Sequence, residues 1–260
     1  MDTAGVFRID GKVAVVIGGT GALCSVMAEA LAGAGAAVVV VGRDDDRGQA
    51  VVQRIGQVGE ARFERCDVTR RGEIGELVDR VDRWRGRIGI LVNGASANSS
   101  TPFLDISDDE IERIVGINQL AMMRCCQEFG RYFVEGAAAG GEGASIINMG
   151  SMAGLIPLSK VFTYSMTKAA VHNLSKNLAR EWGPLGVRCN TLVPGFFPAE
   201  QNRVVLTDDR VRHIVDHTPM GRLGAPDDLI GATLLLASPA GRFITGVEIL
   251  VDGGFSAMTI

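Results

Sequence analysis

Lys12-Val-Ala-Val-Val-Ile17 leads straight into Gly18-Gly19-Thr20-Gly21, and this junction sets the architecture expected for the whole chain. The continuous apolar run predicts a strand buried on both faces, and a helix is predicted to begin near Ala22. Glycines allow the backbone to approach a phosphate closely, and the N-terminus of a helix offers N–H donors and positive potential. The junction therefore predicts a strand, a phosphate-binding loop and a helix in succession.

Further short apolar runs follow along the chain and alternate with helical stretches. They are Ala37–Val41, Arg62–Cys66, Ile88–Val92, Ser145–Met149, Val187–Val193 and Val247–Val251. This alternation predicts an α/β fold, a Rossmann-type doubly wound sheet of about seven parallel strands with helices on both faces. Ligands of such sheets bind at the carboxyl ends of the strands.

Length and charge restrict the class of protein. The chain has 260 residues, 47% of them hydrophobic, a size that fits one large domain over residues 1–260. The net charge is −4 and no basic run occurs, so we expect no binding to nucleic acid or to an anionic membrane. Apolar runs are too short to span a bilayer, and the N-terminus lacks a signal-peptide pattern, so we expect a cytoplasmic protein.

The cysteines and histidines do not form a recognisable site in the sequence. The five cysteines are odd in number, include no CxxC pair and have no histidine at metal-binding spacing, so we expect buried free thiols. The three histidines, His172, His213 and His217, suggest neither a metal site nor a catalytic triad. We therefore expect no bound metal and structural roles for the histidines.

A long helix is predicted from Asp108 to Val134. Its apolar residues occupy more than one stripe, so burial against the sheet would leave a second apolar face. A second subunit on that face would make the protein a homo-oligomer, a tetramer or a dimer. The alternative is a wider contact with the core of the same chain.

Three residues near the middle of the chain predict a proton-transfer site. Tyr164 and Lys168 are four residues apart on a predicted helix from Phe162 to Trp182, so both side chains project from one face. A cation near a phenol favours the phenolate and lowers its pKa from the usual value of about 10. Ser151 follows a predicted strand, at the edge of the sheet where the cofactor is expected. Together they indicate a carbonyl reductase or alcohol dehydrogenase.

The choice of cofactor depends on the end of the second strand, which reads Gly42-Arg43. An acidic residue there would accept hydrogen bonds from the ribose of NAD, whereas arginine suits a 2′-phosphate. We therefore favour NADP over NAD, which remains possible. The alternative is that Arg43 only pairs at the surface with Asp44, Asp45 and Asp46.

Taken together, these residues resemble the short-chain dehydrogenase/reductase family over nearly the whole chain, from Lys12 to Ser256. The motifs that carry the resemblance occur in order. They are the glycine-rich loop, Asp67-Val68, Asn93-Gly94-Ala95, Asn118, Ser151 with Tyr164-x-x-x-Lys168, Pro194-Gly195 and the ending Val251-Asp252-Gly253-Gly254.

The resemblance implies a dinucleotide-binding catalytic domain and a role for each matching residue. Asn118, Ser151, Tyr164 and Lys168 would be catalytic, with Ser151 bonding the substrate oxygen and Asn118 holding a water that relays protons to Lys168. The residues implied in cofactor binding are Gly18, Thr20, Gly21, Leu23, Arg43, Asp67, Val68, Asn93, Ala95, Tyr164, Lys168, Pro194, Gly195 and Phe197.

The sequence departs from the family pattern at several positions. In the glycine-rich loop Ile17 replaces a threonine, and Ala22 and Cys24 replace glycines. The commoner Asn-Asn-Ala-Gly reads Asn93-Gly94-Ala95-Ser96 here. Ala199 stands where a threonine often bonds the nicotinamide carboxamide.

Within the family, Pro194–Arg203 and His217–Arg222 look like a branch of D-mannonate oxidoreductases (fructuronate reductases), near gluconate 5-dehydrogenases. A sugar-acid substrate needs a cation for its carboxylate and polar partners for its hydroxyls. Ser151 and Lys160, together with Gln201, Asn202 and Arg203 in an expected lid over residues 196–220, could supply them. Alternatively, Gln201, Asn202 and Arg203 only begin and cap the lid helix.

Other functions remain open at this point. A 3-oxoacyl-carrier-protein reductase or another carbonyl reductase of the family is the main alternative. A protein that senses NADPH without turnover is less favoured, because the Ser151, Tyr164 and Lys168 set is intact. A serine hydrolase is disfavoured, because Met149 and Ala153 occupy positions where a nucleophile elbow needs glycine.

Overall fold

The computed structural model describes residues 5–198 and 207–258 and contains one seven-stranded, wholly parallel sheet. The strands are β1 (Val13–Ile17), β2 (Ala37–Gly42), β3 (Ala61–Arg65), β4 (Ile88–Asn93), β5 (Ser145–Met149), β6 (Arg188–Pro194) and β7 (Glu248–Val251), in the order β3-β2-β1-β4-β5-β6-β7. The order reverses direction at β1, so a crevice opens between β1 and β4 at their carboxyl ends. The predicted fold is confirmed.

Helices cover both faces of this sheet. They are α1 (Ala22–Gly33), α2 (Asp45–Ile55), α3 (Arg71–Arg85), α4 (Asp108–Val115), α5 (Met122–Ala138), α6 (Phe162–Trp182), α7 (Asp208–Asp216) and α8 (Ile230–Ala237). Successive residues of β1 enter opposite layers of the core, Val15 with α3, α5 and α6, and Val16 with α1, α2 and α8. Both faces of the strand are buried, which explains its unbroken apolar sequence.

The predicted continuous helix over Asp108–Val134 needs a correction. Between α4 and α5 the chain forms a π-helical segment, Gly116–Ala121, and α5 then continues to Ala138. Asn118 lies in the π segment with its side chain fully buried. Apolar periodicity cannot distinguish such a segment from an α-helix, and π turns occur frequently at functional sites.

The two apolar stripes expected on this helix are present. Ile114, Met122 and Phe129 are buried in the chain's own core. Leu120 and Met123 are 41% and 45% exposed on the outer face.

All five cysteines are buried and free, as predicted. None of the helices in the described ranges is long and apolar enough to cross a membrane.

Candidate active site

The carboxyl ends of β4 and β5 bring the predicted proton-transfer residues to one edge of the sheet. Asn93 ends β4, and its amide donates a hydrogen bond of 2.8 Å to the buried Asn148 of β5. Ser151 follows β5 by two residues. Helix α6 packs against β6 and the turn after Ser151, and this packing places Tyr164 and Lys168 beside that turn.

Lys168 is almost wholly buried, with an exposed fraction of 1%. Its Nζ donates a hydrogen bond of 2.8 Å to the Met149 carbonyl and lies 5.4 Å from the centroid of the Tyr164 ring. Burial lowers the pKa of this ammonium to about 8. A proton on Nζ is therefore held more loosely than on an exposed lysine, which suits a group that passes protons onward.

The surroundings of Tyr164 differ from the expectation in one respect. Burial raises the pKa of its phenol, while hydrogen bonding with Ser151 and Ser96 acts in the lowering direction. The ammonium of Lys168 hydrogen-bonds the Met149 carbonyl, and burial outweighs the other contributions, so the pKa of the phenol lies above its usual value. The phenol is thus held in its protonated form, as a proton donor requires.

The side chain of Asn118 is fully used by the protein. Its Oδ1 accepts from the Ala97 N–H at 2.7 Å and from the Ser96 hydroxyl at 3.2 Å. Its Nδ2 donates to the Ala97 carbonyl at 2.9 Å and to the Thr167 hydroxyl at 3.1 Å. An amide has two donors and two acceptor sites, so none is left over. The expected water relay would therefore have to use the main-chain carbonyl, and the side chain anchors the loop after β4 to α6.

The glycine-rich loop fits a pyrophosphate. Gly18 has a φ of +73°, and a β-carbon there would come within 2.7 Å of the Ala95 backbone nitrogen, so only glycine permits this close packing. Thr20 packs against Gly42, at the end of β2. Gly21 caps α1 without a side-chain hydrogen bond, which leaves the first-turn N–H groups, including that of Leu23, open to an anion.

Three of the predicted cofactor-binding residues, Arg43, Asp67 and Val68, follow β2 and β3. Arg43 is exposed, and within the described ranges it forms no ion pair with Asp44, Asp45 or Asp46. Asp44 instead lies 3.6 Å from Arg47, and Asp45 lies 3.1 Å from Arg65.

Asp67 and Val68 follow β3, and Val68 is buried. Burial raises the pKa of the Asp67 carboxyl, but hydrogen bonds from the Thr69 hydroxyl and amide outweigh it and hold that pKa below its usual value. The distances are 2.7 and 3.0 Å. The carboxylate thus fixes the turn after β3.

Of the other predicted residues, Pro194, Gly195 and Phe197 lie at or after the end of β6, and Lys160 lies just before α6. Pro194 ends β6, and a β-carbon on Gly195 would come within 2.6 Å of Asp252 Cα. Phe197 is buried, and Lys160 is exposed with a φ of +61°. Gln201, Asn202 and Arg203, with Ala199, lie outside the described residues.

Sequence reasoning missed two residues that contact this site. Ser96 hydrogen-bonds Asn118 and Tyr164. The buried His172 accepts a hydrogen bond from the Ser151 main-chain N–H at 3.3 Å. His172 follows Lys168 by four residues, so its place on the same helix face could have identified it.

Similarity to known proteins agrees with this geometry. A protein-family model described as enoyl-(acyl carrier protein) reductase matches residues 21–256. D-threitol dehydrogenase of Mycolicibacterium smegmatis is 32% identical, and the match covers 96% of this chain and 95% of that protein.

Two solved structures superpose closely. Gluconate 5-dehydrogenase of Burkholderia cenocepacia, in complex with NADP and tartrate, gives a TM-score of 0.92 at 28% identity, covering 98% of this chain and 99% of its own. A 7α-hydroxysteroid dehydrogenase complexed with NADH and 7-oxo glycochenodeoxycholic acid gives 0.92 at 30% identity, covering 98% of each chain. The family model matches most of the chain, and the relatives match it over nearly their whole length. The chain therefore belongs to the short-chain dehydrogenase/reductase family of nicotinamide-dependent oxidoreductases.

Proposed function

We propose that this protein interconverts a ketone and a secondary alcohol of a sugar acid, with D-fructuronate and D-mannonate as the first pair to test. The observation that carries the proposal is the convergence of Ser151, Tyr164 and Lys168 beside a loop shaped for a dinucleotide. Asn118, which joins the loop after β4 to α6, completes the proposed catalytic set.

Three residues of this set have distinct tasks in carbonyl reduction. The nicotinamide, when bound, supplies the hydride that the carbonyl carbon receives. Tyr164 donates its phenolic proton to the carbonyl oxygen, and the Ser151 hydroxyl hydrogen-bonds that oxygen as negative charge develops. Lys168, whose pKa is lowered to about 8, restores the proton to Tyr164. Alcohol oxidation uses the same residues in reverse.

A polar substrate is supported by the loop after β4 and by the relatives. The Glu110 carboxylate accepts hydrogen bonds from the Ser99 and Thr101 hydroxyls, each 2.6 Å long, which fixes a hydroxyl-rich loop. Among the relatives, one is named for D-threitol and another for gluconate, with tartrate bound. We assign Lys160, Gln201, Asn202 and Arg203 to the substrate carboxylate and hydroxyls.

We further propose that NADP is the preferred cofactor and that the protein is a homo-oligomer. Arg43 stands exposed where the 2′-phosphate would lie, while Asp44 and Asp45 face other arginines. The exposed Leu120 and Met123 offer an apolar face to a second copy of the chain.

The test is turnover with NADPH and with NADH, followed by nicotinamide absorbance, on D-fructuronate, 5-keto-D-gluconate and an acetoacetyl thioester. The thioester is included because the matching family model carries an acyl-carrier reductase description. We expect reduction of D-fructuronate with NADPH. Tyr164→Phe should bind NADPH normally and lose turnover, since the ring remains and the proton does not. Turnover of the thioester alone would replace the sugar-acid assignment, and full activity of Tyr164→Phe would overturn the proposed site.

A further inference from the structure

A buried histidine lies directly behind the proposed catalytic serine. His172 is 3% exposed, and its Nε2 lies 3.3 Å from the main-chain nitrogen of Ser151. A β-carbon on Gly150 would collide with this Nε2, so glycine at that position is what allows the imidazole to reach the backbone. The imidazole therefore lies against the main chain at Gly150 and at the nitrogen of Ser151.

The hydrogen bond fixes the chemical form of the imidazole. A backbone N–H can only donate, so Nε2 must carry no proton, and a neutral ring must then carry its proton on Nδ1. That atom faces the Glu248 carboxylate of β7 at 3.6 Å. Within the described ranges Nδ1 has no hydrogen-bond partner, and the Glu248 carboxylate is the acceptor that faces it.

The charged groups around His172 come from α6 and β7. Lys176 lies 2.6 Å from the same Glu248 oxygen, and Lys168 is one turn earlier on α6. Burial lowers the pKa of His172, the two lysines act in the same direction, and Glu248 opposes them. The neutral ring is thus the form present at neutral pH. Protonation in acid would place an Nε2–H against the Ser151 N–H, two donors facing each other.

We propose that His172 positions Ser151 for reaction, with its Nε2 holding the Ser151 main-chain N–H and Glu248 selecting the tautomer that can do so. The inference rests on the proposed function only in taking Ser151 as the residue that bonds the substrate oxygen. His172 itself is a positioning residue, because it contacts the serine backbone and not the reacting atoms.

The tautomer can be measured without any substrate. In the 260-residue chain, nitrogen NMR of the three imidazoles should show a protonated Nδ1 and an unprotonated Nε2 for one ring at neutral pH. That signal should vanish in His172→Gln. A proton on Nε2 of His172 would overturn the proposal, whatever the enzyme turns over.

Kinetics distinguish positioning from mere packing. His172→Phe keeps the ring volume but has no acceptor, and we expect kcat to fall about ten-fold or more with little change in the KM for NADPH, the scale set by one lost buried hydrogen bond. His172→Gln, whose carbonyl can accept the Ser151 N–H, should recover part of that loss. Asn173→Ala, exposed on the same helix, is the matched control.

The pH profile gives a second criterion. Activity of the wild type on D-fructuronate should fall in acid as His172 gains a proton, below the ordinary histidine value of about 6.5. Glu248→Gln removes the carboxylate that favours protonation of His172, so the fall in activity at acid pH should move to lower pH. In His172→Gln, the part of that fall caused by protonation of His172 should be absent. Unchanged acid limbs in both variants, with Tyr164→Phe inactive, would refute the role of His172 while leaving the proposed function intact.

Discussion

The thiol sulfur of Cys24 fills the space that a β-carbon on residue 94 would need. Cys24 stands in α1 where the family commonly has glycine, and Gly94 stands after β4 where it commonly has asparagine. The larger side chain at position 24 of α1 therefore occupies the space left by the smaller residue at position 94. Burial raises the pKa of the Cys24 thiol to about 11, so it packs there as a neutral, inert group.

This exchange predicts that changes at the two positions are coupled. Gly94→Ala should lower the free energy of unfolding by about 1–3 kcal/mol, because the added methyl overlaps the Cys24 sulfur. In the Cys24→Ala background the sulfur is gone, and the same change should cost much less. Denaturant unfolding of the two single variants and the double variant measures the coupling. Additive losses would show that the two side chains do not compete for one space.

The buried ammonium of Lys168 should lower the stability of the protein although turnover requires it. Burial lowers the pKa of its ammonium from 10.5 to about 8, so the unfolded chain holds the proton more tightly than the folded protein does. The charge thus lowers stability at every pH below the unfolded value. We expect Lys168→Met to abolish turnover and to raise the free energy of unfolding at neutral pH by about 1–3 kcal/mol.

The sign of this effect can be checked with pH. The gain from Lys168→Met should shrink as the pH rises from about 8 toward 10.5, because wild-type Lys168 is then neutral in both states. Urea unfolding at neutral and alkaline pH makes the comparison, with the exposed Lys160→Met as control. A gain of equal size at both pH values would show that the ammonium is not its source.

The bounds of α6 could be predicted from the sequence, whereas its contacts with other elements could not. The predicted helix bounds, Phe162 to Trp182, match the structure, because local periodicity and a four-residue spacing determine which side chains share a face. The contact from His172 to Ser151 joins residues 21 positions apart. The sulfur of Cys24, in α1, lies against position 94, which follows β4. Such contacts depend on the packing of whole elements. Local patterns in one sequence do not encode them.

Asn118 offers a test of the loop anchor. Asn118→Ala removes the acceptor of the Ala97 N–H and the donor to the Ala97 carbonyl. We expect faster hydrogen exchange at residues 96 and 97 and a loss of about 1–3 kcal/mol in the free energy of unfolding. Mass spectrometry of exchanged peptides measures the loop directly, with Asn173→Ala as the exposed control. Unchanged exchange in this loop would mean that other contacts hold it.

Arg43 should determine the choice of cofactor. Arg43→Ala removes an exposed guanidinium that the 2′-phosphate would meet, so the KM for NADPH should rise about ten-fold or more while that for NADH changes little. Arg54→Ala is the matched control, because Arg54 is bonded to Glu29 at 2.8 Å on the neighbouring helix. Equal effects on both cofactors would show that Arg43 does not read the phosphate.

The outer face of α5 should determine the state of association. Met123 and the adjoining Leu120 are 45% and 41% exposed, and a charge placed there would have to lose its water in any interface that covers them. We expect Met123→Glu to shift the protein to a smaller species in sedimentation at fixed concentration. Val58→Glu, at an apolar residue 56% exposed elsewhere, should leave the mass unchanged. If both variants sediment like the wild type, another face holds the subunits together; if the wild type is itself a monomer, the exposed stripe is not an interface.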